Sequence, residues 1–249
     1  MGSGYQDVSI KNVLQMSSGV RFNEDYGDFN SDINRFSRAT AFGTSLDKFT
    51  ASLKSERAAG TYHHYVSIDT QVLGMVLTRA TGKSLTHYLS EKIWQPLGME
   101  HPAFWLADDN GMELALGGLN VTLRDYAKLG WLYLNLGQWQ NAQGQVQQIV
   151  PKQWVIDSIT ADAPHLVAGE NNPASSSSFG YGYQWWLPLG AEDEFAAQGI
   201  YGQYIYIDPD HKLVIVKNSA NYRFTDKSLN WSDKHYAMFR AISAHFTQQ

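Results

Sequence analysis

The chain is 249 residues long, 43% hydrophobic and 17% charged, which suits one large packed domain or two small ones and excludes a disordered chain. Its net charge is −5, with 19 lysines and arginines and no basic block, so nucleic acid is not an expected partner. No apolar run approaches the roughly 18 residues of a spanning helix. The absence of cysteine removes disulfides, thiolate metal sites and a cysteine nucleophile.

Met1-Gly2-Ser3-Gly4 reads as a vector-derived leader, and no charged stretch precedes an apolar one as a signal peptide requires. Residues 5–175 read as a mainly helical lobe. Leu46, Phe49 and Leu53 form the one-sided stripe of a surface helix. Ser67 is positioned to cap a helix with Val72, Leu73, Val76 and Leu77 on one face, stopped at Gly82. Ser84 opens the next, with Leu85, Tyr88 and Leu89 inside and Pro96 at its end. Thr122 and Asp125 resemble a capping box ahead of Tyr126, Leu129, Tyr133 and Leu134, with Gly137 closing that helix. Pro151 suits a first helical position before Trp154 and Ile159.

The polar stretch 171–178 reads as a loop or lobe boundary. Residues 176–249 then supply antiparallel strands and a C-terminal helix. Strands are expected at Tyr183–Leu187, Gln203–Ile207 and Leu213–Lys217, the last two flanking the turn Asp208-Pro209-Asp210-His211-Lys212. Ser232 starts the final helix, with Tyr236, Phe239, Ile242 and Phe246 inside. Helices followed by an antiparallel sheet define an α+β fold. Three or four strands and one helix make a thin layer, which suggests that part of the fold lies outside these residues.

Most chemistry motifs are absent: there is no nucleophile elbow, phosphate loop, dinucleotide fingerprint or zinc-protease helix. His63 and His64 are adjacent, and neighbours on a strand point apart, so no metal site is expected. No cofactor is indicated.

Five segments together carry a family resemblance. Val13-Leu14-Gln15-Met16-Ser17-Ser18-Gly19-Val20 resembles the LLxMTSGL segment of class C β-lactamases, penicillin-binding-protein-like esterases and 6-aminohexanoate-dimer hydrolases. Tyr65-Val66-Ser67, followed by a helix, resembles their Y-x-N/S motif. Pro96-Leu97-Gly98-Met99, then Gly117-Gly118-Leu119 leading to Arg124-Asp125, are similar to two further signatures. Tyr181-Gly182-Tyr183-Gln184-Trp185-Trp186 with Ala197-Gln198-Gly199-Ile200 resembles the sheet and its third motif.

The resemblance implies a β-lactamase/transpeptidase-like fold, a helical lobe plus an antiparallel sheet lobe. It implies serine acyl-transfer chemistry on a small ester or amide, and relatives are often exported. In that chemistry a Ser-x-x-Lys helix supplies the nucleophile, a tyrosine shares its proton, and two backbone N–H groups hold the oxyanion. Tyr65 then matches the catalytic tyrosine and Ser67 the third position of its motif. Gln198 and Gly199 belong to the third motif, and Ile200 supplies the second oxyanion N–H. From the residues alone, Tyr65 reads as an aromatic core residue, Ser67 fits equally well as a helix cap, and Gly199 as a close backbone approach.

Two departures stand out. Many relatives carry Lys or His where this chain has Ala197, which cannot bind a carboxylate. This leans toward esters or short amides. The Ser-x-x-Lys should precede the Met16 segment by tens of residues, yet only Ser45-Leu46-Asp47-Lys48 has that spacing, about 20 residues before Tyr65. Ser45 is therefore read as non-catalytic and the nucleophile's strands and helix as absent. The chain is expected to be inactive alone and to self-associate or depend on the missing segment. The alternative is a non-catalytic binding or scaffold protein that keeps the cleft.

Overall fold

Caps and glycines set most of the element boundaries. The computed structural model describes residues 2–43, 45–190 and 193–246; Met1 of the expected leader lies outside them. The helices before the main sheet are α1 (Ile10–Leu14), α2 (Asp32–Ala41), α3 (Leu46–Ser52), α4 (Ser67–Thr81), α5 (Leu85–Leu89, continued by a π turn at Ser90–Trp94), α6 (Leu123–Leu134) and α7 (Lys152–Ser158). Two ribbons lie among them: β1 (Phe104–Trp105) with β2 (Leu119–Asn120), and β3 (Gln138–Gln140) with β4 (Val146–Gln148). The main sheet is an antiparallel meander in chain order, β5 (Gly180–Tyr181), β6 (Trp186–Leu187), β7 (Phe195–Gly199), β8 (Gln203–Asp208) and β9 (Leu213–Lys217). Helix α8 (Trp231–Phe246) follows.

Thr122 accepts the Asp125 N–H at 3.3 Å and Ser84 that of His87 at 3.1 Å, as their sequence positions require. The Asp125 carboxylate also accepts from Glu100 N at 2.8 Å, tying the segment after Pro96-Leu97-Gly98-Met99 to α6. Gly82 ends α4 with φ 68°, the left-handed conformation of a helix stop. Gly4 is buried, and its N–H donates to Leu53 O at 2.8 Å.

Alternation along β8 splits the core across the sheet. Tyr204 and Tyr206 pack with Ala196 on Tyr236 and Phe239 of α8. Ile205 and Ile207 pack with Phe195 and Trp185 on Tyr126, Leu129 and Tyr133 of α6. The sheet is thus covered on both faces and has five strands, more than the sequence suggested.

Several local expectations are corrected. Of the expected strand Tyr183–Leu187 only Trp186 and Leu187 pair, as β6; Gly182 N–H donates to Trp185 O at 2.9 Å, making residues 183–185 a turn between β5 and β6, with Gln184 at φ 64°. Ser67 is the first helical residue and not the cap; Val66 holds that position, and the Ser67 N–H is taken by the Glu24 carboxylate. The buried face of α4 is Ser67, Ile68, Asp69, Gln71 and Gly74. Polar bonds hold it inward, Tyr5 Oη to Asp69 at 2.7 Å and Gln71 Nε2 to Glu113 O at 2.9 Å. The expected apolar stripe is only half-buried, with Leu77 37% exposed. Pro151 is one residue ahead of α7, and α8 starts one residue early. On α8, His235 and Ser243 join Tyr236 and Phe239 inside, whereas Phe246 is 54% exposed.

Gly130 lets α6 lie directly on the sheet: a Cβ there would meet Val214 Cγ1 at 2.5 Å and Ile205 Cγ2 at 3.1 Å. Gly130→Val should therefore destabilise the chain by about 1–3 kcal/mol through overpacking, read as a lower urea midpoint. An unchanged midpoint would show that α6 can shift freely on β8 and β9.

Candidate active site

The segment ahead of α4 is extended and clamped from both sides. His64 N–H donates to Met16 O at 2.9 Å, His63 N–H to Ala174 O at 2.9 Å, and Ser176 N–H to His63 O at 3.0 Å. Alternation then sends His63 and Tyr65 inward and His64 outward. The His63 ring stacks on Tyr181 at 5.0 Å, and Tyr65 stacks on Trp186 at 5.2 Å with 27° between planes. His63 Nδ1 pairs with Ser175 Oγ and His64 Nδ1 with Ser176 Oγ, each at 3.0 Å.

Tyr65, Gln198, Gly199 and Ile200 line one cavity of about 240 Å³. Strand β7 brings Gln198 and Gly199 there, and the turn after it brings Ile200, whose side chain is 45% exposed. Gln198 and Gly199 also border a larger cavity of about 570 Å³ that contains Ala197, Leu119 and Tyr126. Among the described residues, no charged side chain lines either space. The absence of a cation at Ala197 is therefore not made good by a neighbour on these walls.

Ser67 does not line the cavity. It is buried one step behind Tyr65, and its side chain is a hydrogen-bond partner of Tyr65, Tyr26 and Glu24. One hydroxyl has one hydrogen and two lone pairs, enough for all three. Burial pushes the Tyr65 phenol above its ordinary range, and the Glu24 charge raises it further. Burial, then Glu24, pushes Tyr26 up to about 12. Glu24 is itself held up by burial, against the pull of its two bonds to Ser67. Asp69, next on the buried face, is pushed up to about 7 by burial, opposed by bonds from Tyr5 and Ser18.

Glu24 and Tyr26 are absent from the sequence reading. An acid two residues from a tyrosine, closely following the Met16 segment, was the available signal, but nothing local says that the acid is buried. Ser45 sits at the N-cap position of α3 without a side-chain capping bond, and Lys48 is exposed. Asp47, between them, pairs with Arg79 at 2.7 Å.

The helical lobe, the antiparallel sheet and the tyrosine facing the β7 strand define a β-lactamase/transpeptidase-like fold. The chain belongs to the β-lactamase family, whose sequence profile matches residues 1–231. It is 28% identical over 226 residues to the 6-aminohexanoate-dimer hydrolase of Paenarthrobacter ureafaciens, covering 88% of this chain and 56% of that one. A solved Bacillus anthracis structure, described provisionally as the same kind of hydrolase, superimposes with a TM-score of 0.75 at 27% identity, covering 97% of this chain and 62% of that one. A Mycobacterium bovis β-lactamase shares the fold at TM-score 0.66 and 18% identity, with 99% of this chain and 77% of that one covered. The chain thus spans little more than half the length of the curated relative it matches.

The buried carboxylates set a pH dependence. Asp69 has a folded-state value of about 7 against an ordinary value of 3.8, so the folded chain binds the extra proton. Its stabilising contribution is complete below about pH 4 and is lost as pH rises through about 7. His63 acts oppositely over the same range: its value is pushed down to about 4, so its contribution fades as pH falls from 6.5 toward 4. Asp69→Asn keeps an acceptor for Tyr5 and removes the first effect alone. Urea unfolding should show the variant gaining on the parent by roughly 1–3 kcal/mol between pH 4 and 8. Parallel stability curves would refute the assignment.

Proposed function

We propose that this chain carries the tyrosine and oxyanion side of a β-lactamase-type serine hydrolase acting on esters or short amides, and that alone it turns over poorly. The observation that supports this best is the meeting of Tyr65 with Gly199 and Ile200 at one cavity, with Ser67 bonded behind the phenol. In the proposed reaction a serine oxygen displaces the substrate's alcohol or amine, and water then releases the acid. The Ile200 N–H and the nucleophile's own N–H would hold the oxyanion. Tyr65 would shuttle the proton between serine and leaving group.

The phenol is poorly suited to that task by itself. Burial and Glu24 both favour its neutral form, so at neutral pH it is a weak base until a cation stands beside it. The chain's one Ser-x-x-Lys, at Ser45, does not line the Tyr65 cavity, and neither does any lysine. An apolar helix bearing serine and lysine would suit the open trough that adjoins the site. The cavity at Ala197 shares Leu119 with a smaller one of about 190 Å³. That one shares Leu89 and Trp105 with an apolar groove of about 570 Å³ reaching Leu77 and Trp154. Left uncovered, such a surface favours self-association.

The purified chain is expected to hydrolyse p-nitrophenyl acetate far more slowly than about 1 per second, a typical lower bound for an enzyme, and to sediment as more than a monomer. Adding a peptide with an apolar Ser-x-x-Lys helix should raise the rate, and Tyr65→Phe should cancel that gain. A stable monomer with fast turnover would overturn this reading and return attention to Ser45.

A further inference from the structure

We propose that the cavity beside Tyr65 is a binding site for a methylated ammonium group. Its side-chain wall is built mainly from five rings, Tyr65, Trp186, Tyr204, Phe224 and Trp231. These come from five separate stretches of chain. Phe224 is held in place from behind, edge-on to Tyr26 at 5.3 Å and to Tyr201 at 4.9 Å. An aromatic ring face carries partial negative charge and attracts a weakly hydrated cation. At about 240 Å³ the space is below the usual range for a drug-sized ligand, and it suits a head group of a few heavy atoms.

Two carboxyl groups and two lysines stand around the cavity. Glu24 and Asp69 lie behind Tyr65, close enough to hold its phenol up, and neither has an ion-pair partner among the described residues. Both lysines contact the wall, and the second shows that the Trp231 ring attracts an ammonium group. Lys217 Nζ donates to Gly202 O at 2.8 Å, and Lys234 Nζ stands 5.5 Å from the Trp231 ring centroid, itself a cation–π contact.

Methylation suits a wall with more ring surface than polar groups. A primary ammonium carries three N–H donors that each need an acceptor. The Asn221 oxygen accepts the Arg223 N–H at 3.0 Å and keeps its second lone pair. The Gln198 amide nitrogen donates to Tyr236 Oη at 3.0 Å, which leaves its oxygen to accept, beside the hydroxyls of Tyr65, Tyr204 and Ser232. A trimethylammonium head needs none. Placing this group on the substrate rests on the hydrolase reading above; the binding site itself does not.

Isothermal titration of the whole 249-residue chain with three small probes tests the site. Choline should bind at least about five-fold more tightly than its uncharged isostere 3,3-dimethylbutan-1-ol, and more tightly than ethanolamine. Trp231→Ala and Phe224→Ala should each weaken choline binding several-fold with circular dichroism unchanged, while Trp231→Phe retains most of it. Equal binding of the uncharged isostere, equal binding of ethanolamine, or no heat from choline up to tens of millimolar would each overturn the proposal. Choline binding in a chain that no added helix can activate would leave this site standing and remove the hydrolase reading. Activation without choline preference would do the reverse.

Discussion

The Glu24 carboxylate, buried at the first turn of α4, joins three stretches of chain that are distant in sequence. It accepts the Ser67 N–H at the positive end of the helix and bonds the Ser67 side chain. Ser67 then bonds both Tyr65 and Tyr26. The loop around residues 21–31, the extended segment before α4 and the helix itself are thereby fixed together. Burying a carboxylate costs free energy, and the raised proton affinity of Glu24 measures that cost. Two charge-assisted bonds at a helix terminus offset part of it. Without that carboxylate, the Ser67 N–H would lose its acceptor at a buried helix start, and the Tyr65 phenol would lose the charge that raises it.

Where structure is decided locally, the sequence was legible. Thr122 with Asp125, Ser84, and the stop at Gly82 each act within a turn or so of themselves, and each took its expected place. The hairpin between β8 and β9 follows from Asp208-Pro209-Asp210 between two β-branched runs. Tertiary partners decided the rest. The aromatic run at Tyr183–Leu187 has strand composition, but Gln184 bonds Leu14 O at 3.0 Å and accepts from Thr70 Oγ1 at 2.6 Å, which turns the backbone aside. On α4 the stripe of Val72, Leu73, Val76 and Leu77 looks like a core face, yet Tyr5 and Glu113 draw the polar face inward. The inward-facing Tyr65 was legible through its motif. Its partner Glu24 was not, because burial of an acid leaves no local mark.

The departure at Ala197 changes the electrostatic character of the cleft. A lysine or histidine there would make the end of β7 a carboxylate site. With alanine, the cavities on either side of Gln198 and Gly199 have uncharged walls, and the formal charges nearest Tyr65 are those of Glu24 and Asp69. Strand β7 therefore borders spaces whose walls, among the described residues, are uncharged. Aromatic rings, and not ionic side chains, give the cavity beside Tyr65 its shape.

The order of the main sheet has a kinetic meaning. Each of the five strands pairs with its neighbour in sequence, so the meander closes through short loops and low entropic cost. Tyr65 reaches Trp186 and Gly199 across nearly half the chain, a separation whose loop-closure entropy must be met before any contact rewards it. The sheet can assemble as one cooperative unit, while the cleft exists only after that unit docks on α4 and α6. The cleft is therefore a property of the docked lobes and of neither one alone.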